Sequence, residues 1–118
     1  MTNRFKEANS RVIQWAAVKG ILAKATPLTQ HSKTEEEVAE LKEALYFKNN
    51  EVVSYKNSKG KTVFTDEEVK DAVGDILVTI LIQCGLQYLD PLDCLESALD
   101  VIENRTGRMV NGQFVKDE

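Results

Sequence analysis

Two acidic pairs with helical spacing are the residues of this chain best suited to chemistry. Glu37 and Glu40 are three residues apart, and Asp71 and Asp75 are four residues apart. Residues three or four apart lie about one turn from each other, so each pair sets two carboxylates on one face of a helix. The second pair leads into the apolar run 76–82, beside which an uncompensated carboxylate is costly to bury. The pattern predicts four carboxylates that converge on one hard cation.

The ligand type restricts the metal and the reaction. Oxygen ligands without a paired His or Cys favour Mg²⁺, Mn²⁺ or Ca²⁺ over zinc, and the sequence has no EF-hand spacing that would indicate calcium signalling. Mg²⁺ held by a few carboxylates keeps coordination positions open for water and substrate phosphates. We therefore expect Mg²⁺, with Mn²⁺ as an alternative, and phosphoryl or pyrophosphoryl chemistry in which water attacks a polarised phosphate.

The composition predicts a single domain over residues 1–118 and excludes several functions. The chain has 118 residues, 42% of them apolar, and a formal charge of −4. Nucleic-acid-binding proteins normally carry a basic excess, so no nucleic-acid partner is expected. No apolar stretch reaches the roughly 20 residues that span a bilayer, and the polar N-terminus lacks the apolar core of a signal peptide. We expect a cytoplasmic protein that does not contact a membrane.

Apolar periodicity predicts four helices, over residues 4–24, 28–47, 66–88 and 91–105. Residues 49–65 are predicted to form a small hairpin or a mobile loop, and the Asn-Gly tail a second small hairpin. Thr65 is predicted to cap the third helix in a capping box with Glu68. That helix is apolar nearly all round from Ile76 to Leu86, which implies burial on every side. We therefore expect an all-α four-helix bundle whose core is completed across a subunit interface.

Two segments of the chain resemble the all-α nucleoside triphosphate pyrophosphohydrolase superfamily. The first is the pattern Q-x-x-K-x-x-E-E-x-x-E-L over residues 30–41, and the second is Gly-Asp-Ile-Leu over residues 74–77. Arg105 and the tail 111–116 also resemble this group, most closely the small phage-type members of its MazG-like branch. The resemblance covers nearly the whole chain, and the order and spacing of the motifs carry it more than any one motif does.

The resemblance implies a Mg²⁺-dependent enzyme that hydrolyses a nucleoside triphosphate (NTP or dNTP) to the monophosphate and pyrophosphate. It implies a MazG-like helical bundle that assembles as a homodimer or homotetramer. By position, Glu37 and Glu40 match the first pair of metal ligands and Asp75 matches the last ligand. Ala72 stands where the family has a Glu, so Asp71, or Glu68 one turn earlier, would replace that ligand.

The remaining site predictions concern the base that activates water and the groups that bind the nucleotide. Glu37 or Glu40 is the predicted catalytic base. Phosphate contacts are predicted for Lys33, Arg105 and Asn104, and stacking on the base for Trp15. Three of these four residues have an alternative role. Lys33 could be a surface helix residue, Arg105 a cation at a helix C-terminus, and Trp15 a core or interface anchor.

Two other functions are compatible with the sequence. Ala72 at a ligand position, together with the absence of the Lys that often precedes the family Arg, favours a catalytically degenerate module that binds nucleotide or a protein partner. The other alternative is a dimerising bundle without a ligand.

Overall fold

The computed structural model describes residues 3–117, of which about 66% are helical. These residues form five helices and two small antiparallel sheets, so the prediction of an all-α four-helix bundle is wrong. The elements in chain order are α1 (Arg4–Val18), α2 (Ile21–Lys24), α3 (Pro27–Asn49), β1 (Ser54–Lys56), β2 (Thr62–Phe64), α4 (Thr65–Leu86), α5 (Pro91–Ile102), β3 (Gly107–Val110) and β4 (Gln113–Lys116).

The predicted first helix, 4–24, is two helices because Gly20 interrupts it. Gly20 has a φ of +79°, in the left-handed region that glycine adopts without steric cost. The chain turns there, and the short helix α2 follows. At Thr26-Pro27 the chain turns again, and the Thr26 side chain accepts a hydrogen bond from the Thr29 backbone N–H. The Thr29 hydroxyl oxygen accepts in return from the Thr26 N–H, so this capping box fixes the start of α3.

Residues 54–64 form the predicted hairpin, which packs on α3. Strands β1 and β2 are antiparallel, with Tyr55 opposite Val63. These two side chains point to the same face of the pleat, and with Ala44 they form a buried cluster. The Phe47 ring stacks on Tyr55 with the ring centroids 4.1 Å apart. The buried central residue of each strand therefore anchors the hairpin to the helix that carries Glu37 and Glu40.

The predicted capping box at Thr65 is wrong, because Thr65 is already inside α4. The N-cap is Phe64, which offers no side-chain cap. The buried Thr65 hydroxyl instead donates to the Val52 carbonyl oxygen at 2.6 Å, and the Thr65 N–H donates to the carbonyl of Val53. Thr65 thus ties the start of α4 to the segment that enters the hairpin.

Polar side chains join α3 to α4 inside the helix pair. The Gln30 amide Nε2 donates to the Thr79 carbonyl oxygen at 3.1 Å, and Gln30 is buried. The Thr34 and Thr79 hydroxyl oxygens are hydrogen-bonded at 3.0 Å. The Gln83 amide donates to the Pro27 carbonyl oxygen near the start of α3. These bonds fix the register of α4 against α3. They therefore also fix the position of Asp75 along the helix pair relative to Glu37 and Glu40.

Within a single chain α4 is not buried on every side, and the expected completion of its burial across a subunit interface stays a prediction. Ala72, Thr79, Ile82 and Cys84 are buried on this helix. Leu77, however, is 58% exposed, and Val73 and Ile80, at helical spacing from it, are each 43% exposed. A stripe of large apolar side chains therefore faces outward on α4.

The chain divides into two compact units, Met1–Tyr88 and Leu89–Glu118. The single-domain organisation expected from the length stays a prediction. Within residues 3–117 no single helix is both long enough and apolar enough to cross a membrane. The bent pair of α4 and α5 together meets this requirement, by length and composition only.

The second unit consists of α5 and the tail hairpin. Asp90 caps α5 by accepting from the backbone N–H groups of Leu92 and Asp93, an arrangement typical of an Asp-Pro helix start. Strands β3 and β4 turn at Asn111 and Gly112, both with positive φ, which confirms the predicted Asn-Gly turn. Gly107 does not end a helix but opens β3, where a Cβ would overlap the Val115 carbonyl oxygen.

Replacing Thr65 by Val tests the link between α4 and the hairpin. The variant loses the hydroxyl bond to the Val52 carbonyl and leaves that acceptor without this partner, so the free energy of unfolding should fall by about 1 to 2 kcal/mol. Urea unfolding measures the change. The matched control is Thr62→Val on the exposed face of β2, which should stay within about 0.5 kcal/mol of wild type. Equal effects of the two substitutions would contradict this role of Thr65.

Candidate metal centre

Glu37, Glu40 and Asp75 lie together where α3 passes α4. One carboxylate oxygen from each residue lies within 4.8 Å of the other two. The two glutamates are one turn apart on α3, and Asp75 lies one turn before Thr79, whose carbonyl and hydroxyl bind α3. The helix register set by these polar bonds therefore brings the three carboxylates together. Their roles as metal ligands stay predictions.

Glu37 has a buried carboxylate oxygen that no neighbouring described residue satisfies. It is only 9% exposed, and its Oε1 lies 3.4 Å from the Lys33 ammonium. Its Oε2 is buried and has no hydrogen-bond partner among the described residues. Buried polar atoms are almost always paired, and an unpaired charged oxygen is costly. A cation beside Oε2 would remove that cost.

The donor set fits a hard cation. Three carboxylates without a His or Cys among them are ligands typical of Mg²⁺ or Mn²⁺. The three carboxylate oxygens all lie within 4.8 Å of one another, so the three residues would hold such a cation together after side-chain adjustment.

Crowding and burial raise the pKa of two of these acids. Burial is the main cause for Glu40, and the proximity and charge of Glu37 add to it, while Lys59 lowers the pKa. Burial also raises the pKa of Asp75, followed by the charges of Glu37 and Asp71, against Lys33 and Lys59. Protonation and a bound cation relieve the same repulsion, so the two should compete.

Asp71 borders the group without joining it. Its oxygens are not among the three that converge, but it lines a cavity of about 260 Å³ next to Asp75 and Glu40. Ala72, at the position of the family Glu, is only 1% exposed and packs in the interior. Residue 71 rather than residue 72 therefore faces the acidic cavity. The complete cavity lining is Glu40, Glu43, Asn57, Ser58, Lys59, Lys61, Val63, Glu68, Asp71 and Asp75.

Trp15 and Lys33 line a second cavity that reaches the same acids. Its volume is about 220 Å³, and Glu37 and Asp75 form part of its wall. Apolar side chains from α2 and α4 and the polar Gln30 and Thr79 complete it. Trp15 is 49% exposed, so its indole is not a buried core anchor within this unit. Hydrogen bonding to Glu36, together with the charges of Glu36 and Glu37, raises the pKa of Lys33.

Asn104 and Arg105 belong to the second compact unit. Both are exposed and lie beyond the end of α5 at Ile102, so Arg105 is not the last residue of that helix. The Asn104 side chain donates to the Asp100 carbonyl oxygen at 3.2 Å. The phosphate contacts of both residues stay predictions.

Several residues around the acids were not identified as site residues from the sequence. Lys59 and Lys61, at the tip of the hairpin, line the cavity that contains Glu40 and Asp75, and Gln30 lines the Trp15 cavity. The available signal was the turn sequence Asn-Ser-Lys-Gly-Lys, which predicts a tight turn carrying two lysines. Nothing in that sequence indicates which helices the turn faces.

Comparison of the chain with protein-family models, with curated proteins and with solved structures finds no match in any of the three. The pyrophosphohydrolase resemblance therefore stays a prediction from the residues.

Glu40→Gln tests the repulsion within the metal-free cluster. A raised pKa means that the Glu40 carboxyl binds its proton more tightly in the folded chain than in the unfolded chain. The contribution of Glu40 to stability is therefore fully present below its ordinary pKa of 4.5 and is lost as the pH rises through the raised pKa. With chelator at neutral pH, the variant should exceed wild type in free energy of unfolding by a few tenths of a kcal/mol.

Urea unfolding at a series of pH values measures this difference, which should shrink as the pH falls. Glu35→Gln is the matched control, because Glu35 is exposed on the same helix and pairs only with His31 at 3.4 Å among the described residues. A stabilisation by Glu40→Gln that grows toward acidic pH would contradict the repulsion.

Proposed function

We propose that this protein hydrolyses a nucleoside triphosphate, NTP or dNTP, to the monophosphate and pyrophosphate with Mg²⁺. The observation that carries the proposal is the convergence of Glu37, Glu40 and Asp75, together with a buried Glu37 carboxylate oxygen that has no hydrogen-bond partner among the described residues. The resemblance of segments 30–41 and 74–77 to the MazG-like branch supports the same reaction. A cytoplasmic location belongs to the proposal, since it offers both Mg²⁺ and nucleotides.

The three converging acids would hold the cation, and Asp71 would lie beside this group. When bound, Mg²⁺, or Mn²⁺ in its place, neutralises phosphate charge and lowers the pKa of water. The acids themselves fix where the triphosphate chain can lie, because α3 and α4 hold them in one register. Asp71 is exposed on the cavity side of α4 and would reach the cation or its water shell.

A carboxylate of α3 would take the proton from the attacking water. Water forms a new bond to phosphorus, the anhydride bond between the α- and β-phosphates breaks, and pyrophosphate leaves. Accessibility favours Glu40 over Glu37 as the base, since its side chain is 31% exposed against 12%. Glu37, with its buried oxygen, is better suited to binding the cation.

The cavity beside Trp15 suits the nucleoside. It has apolar walls and an indole at its edge, and it shares Glu37 and Asp75 with the acidic cluster. A base stacked on Trp15 would leave the phosphates directed at the acids, with Lys33 between them as a point charge. Asn104 and Arg105 remain further candidates for phosphate binding.

We also propose that the protein assembles as a homodimer or homotetramer. Large apolar side chains are exposed on α4, and on α5 the residues Leu92, Leu95 and Leu99 are exposed at helical spacing. Exposed apolar surface of this extent is typical of protein interfaces. The proposal includes neither a membrane nor a nucleic-acid partner.

A degenerate module that binds nucleotide or a protein partner is the alternative. Burial of Ala72 favours it, because the position of one family ligand is occupied by a methyl group inside the core. This alternative keeps the cavities but requires no turnover.

Pyrophosphate release across a panel of NTPs and dNTPs, with Mg²⁺ and with chelator, tests the reaction. Glu37→Gln and Asp75→Asn should each reduce the rate about 100-fold or more, because each removes charge that the cation requires. Glu35→Gln should retain the wild-type rate.

Three results would contradict parts of this proposal. Wild-type rates in both acid variants would refute the site. No metal-dependent turnover of any nucleotide would refute the reaction, and binding of a non-hydrolysable triphosphate would then indicate the degenerate module. A melting temperature unchanged by Mg²⁺ with nucleotide would indicate a bundle without a ligand.

Leu95→Glu tests the assembly. A charge in the apolar stripe of α5 should shift the protein toward the monomer, and light scattering after size-exclusion chromatography measures the mass. Glu96→Gln, the next residue along the same helix and exposed like Leu95, is the control and should leave the mass unchanged. A monomeric wild-type protein would contradict the proposed oligomer.

A further inference from the structure

The tip of the β1–β2 hairpin holds a lysine against the acidic cluster. The Lys59 Nζ lies 4.0 Å from Glu40 Oε1, and Lys59 and Lys61 line the cavity of about 260 Å³. Five carboxylates from α3 and α4 line the same cavity, namely Glu40, Glu43, Glu68, Asp71 and Asp75. A cavity of this charge would repel a triphosphate unless cations reduce its charge.

The backbone under these lysines is fixed, while their side chains are free to reorient. The Asn57 side-chain oxygen accepts from the backbone N–H groups of Lys59 and Lys61, both at 3.0 Å. Gly60 has a φ of +77°, which suits this turn to glycine. The base of the hairpin is anchored through Tyr55 and Val63 in the buried cluster. The turn therefore presents Lys59 at a constant place beside Glu40.

We propose that Lys59 has two successive partners in this cavity. Without a divalent cation it pairs with the Glu40 carboxylate, and once a cation is bound there it pairs with the phosphate chain of the substrate. This inference rests on the proposed function, of which it names a further substrate-binding residue. A cation at Glu40 satisfies the carboxylate and repels the ammonium, which then becomes available to an anion.

Lys59 suits this exchange better than Lys33. The Lys33 ammonium contacts two carboxylates, Glu36 at 3.3 Å and Glu37 at 3.4 Å. Lys59 has one ion pair among the described residues, and its separation of 4.0 Å between nitrogen and oxygen is long for such a pair. The Lys59 side chain is 75% exposed. Exposed pairs of this kind are weak, so little free energy opposes a change of partner.

The first test measures Mn²⁺ binding by calorimetry without nucleotide. Lys59→Gln removes the competing ammonium, so the Mn²⁺ dissociation constant should fall about two- to fivefold. Lys56→Gln is the matched control, because Lys56 is exposed on the same hairpin and does not line the cavity. The control should bind Mn²⁺ as wild type does.

The second test measures binding of inorganic tripolyphosphate at saturating Mn²⁺. Lys59→Gln should weaken this binding about tenfold, since it removes a charged contact to the phosphates. Lys59→Arg keeps the charge and should restore most of the affinity. Lys56→Gln should again match wild type.

Opposite shifts of the two affinities in Lys59→Gln support the proposal, and an unchanged affinity for either probe overturns it. Absence of Mn²⁺ binding to the wild-type chain overturns it as well. Neither test needs turnover. If no nucleotide is hydrolysed, the proposed reaction fails while the two affinities still decide the role of Lys59. If nucleotides are hydrolysed but the affinities do not shift, the reaction stands and this inference fails.

Discussion

Repulsion among three carboxylates is the constraint on which the arrangement of α3 and α4 depends. Asp75 on α4 would move away from Glu37 and Glu40 on α3 if the helices could slide, and a buried hydrogen bond from Gln30 to Thr79 holds the helices in register. The Thr34 hydroxyl adds a second bond to Thr79. Polar bonds are suited to this task because they are directional, whereas apolar packing alone tolerates small shifts. The fold thus holds these charges close together although their proximity destabilises it, which is typical of sites that bind a ligand.

The same constraint gives the hairpin a role beyond packing. Its apolar face, Tyr55 and Val63, is buried against Ala44 on the helix that carries the glutamates. Its turn carries Lys59 to Glu40, so positive charge is supplied from an element separate in sequence from both acidic helices. Because the attachment lies at the strands and the charge at the tip, the lysine can change partner without unfolding the hairpin.

Local signals in the sequence predicted much of this fold, and the errors arose where tertiary contacts decide. The starts of α3 and α5, both hairpins and the positions of the acidic pairs follow from capping residues, turn residues and periodicity. The helix break at Gly20 was not predicted, because a glycine within an apolar pattern is tolerated in many helices. Thr65 was assigned to a cap because its hydroxyl partner, the Val52 carbonyl, is supplied by the path of the hairpin and not by its own helix.

The site was predictable to the same extent and for the same reason. Spacing placed Glu37 with Glu40 and Asp71 with Asp75, but spacing alone could not show that Asp71 borders the three converging acids without joining them. The structure makes Ala72 part of the core and Asp71 part of the cavity wall. A helix has only one face toward a given neighbour, so a buried small residue and an exposed acid at adjacent positions fix its rotation. The rotation of α4 therefore directs Asp71 as well as Asp75 toward the acidic cavity and keeps Ala72 in the interior.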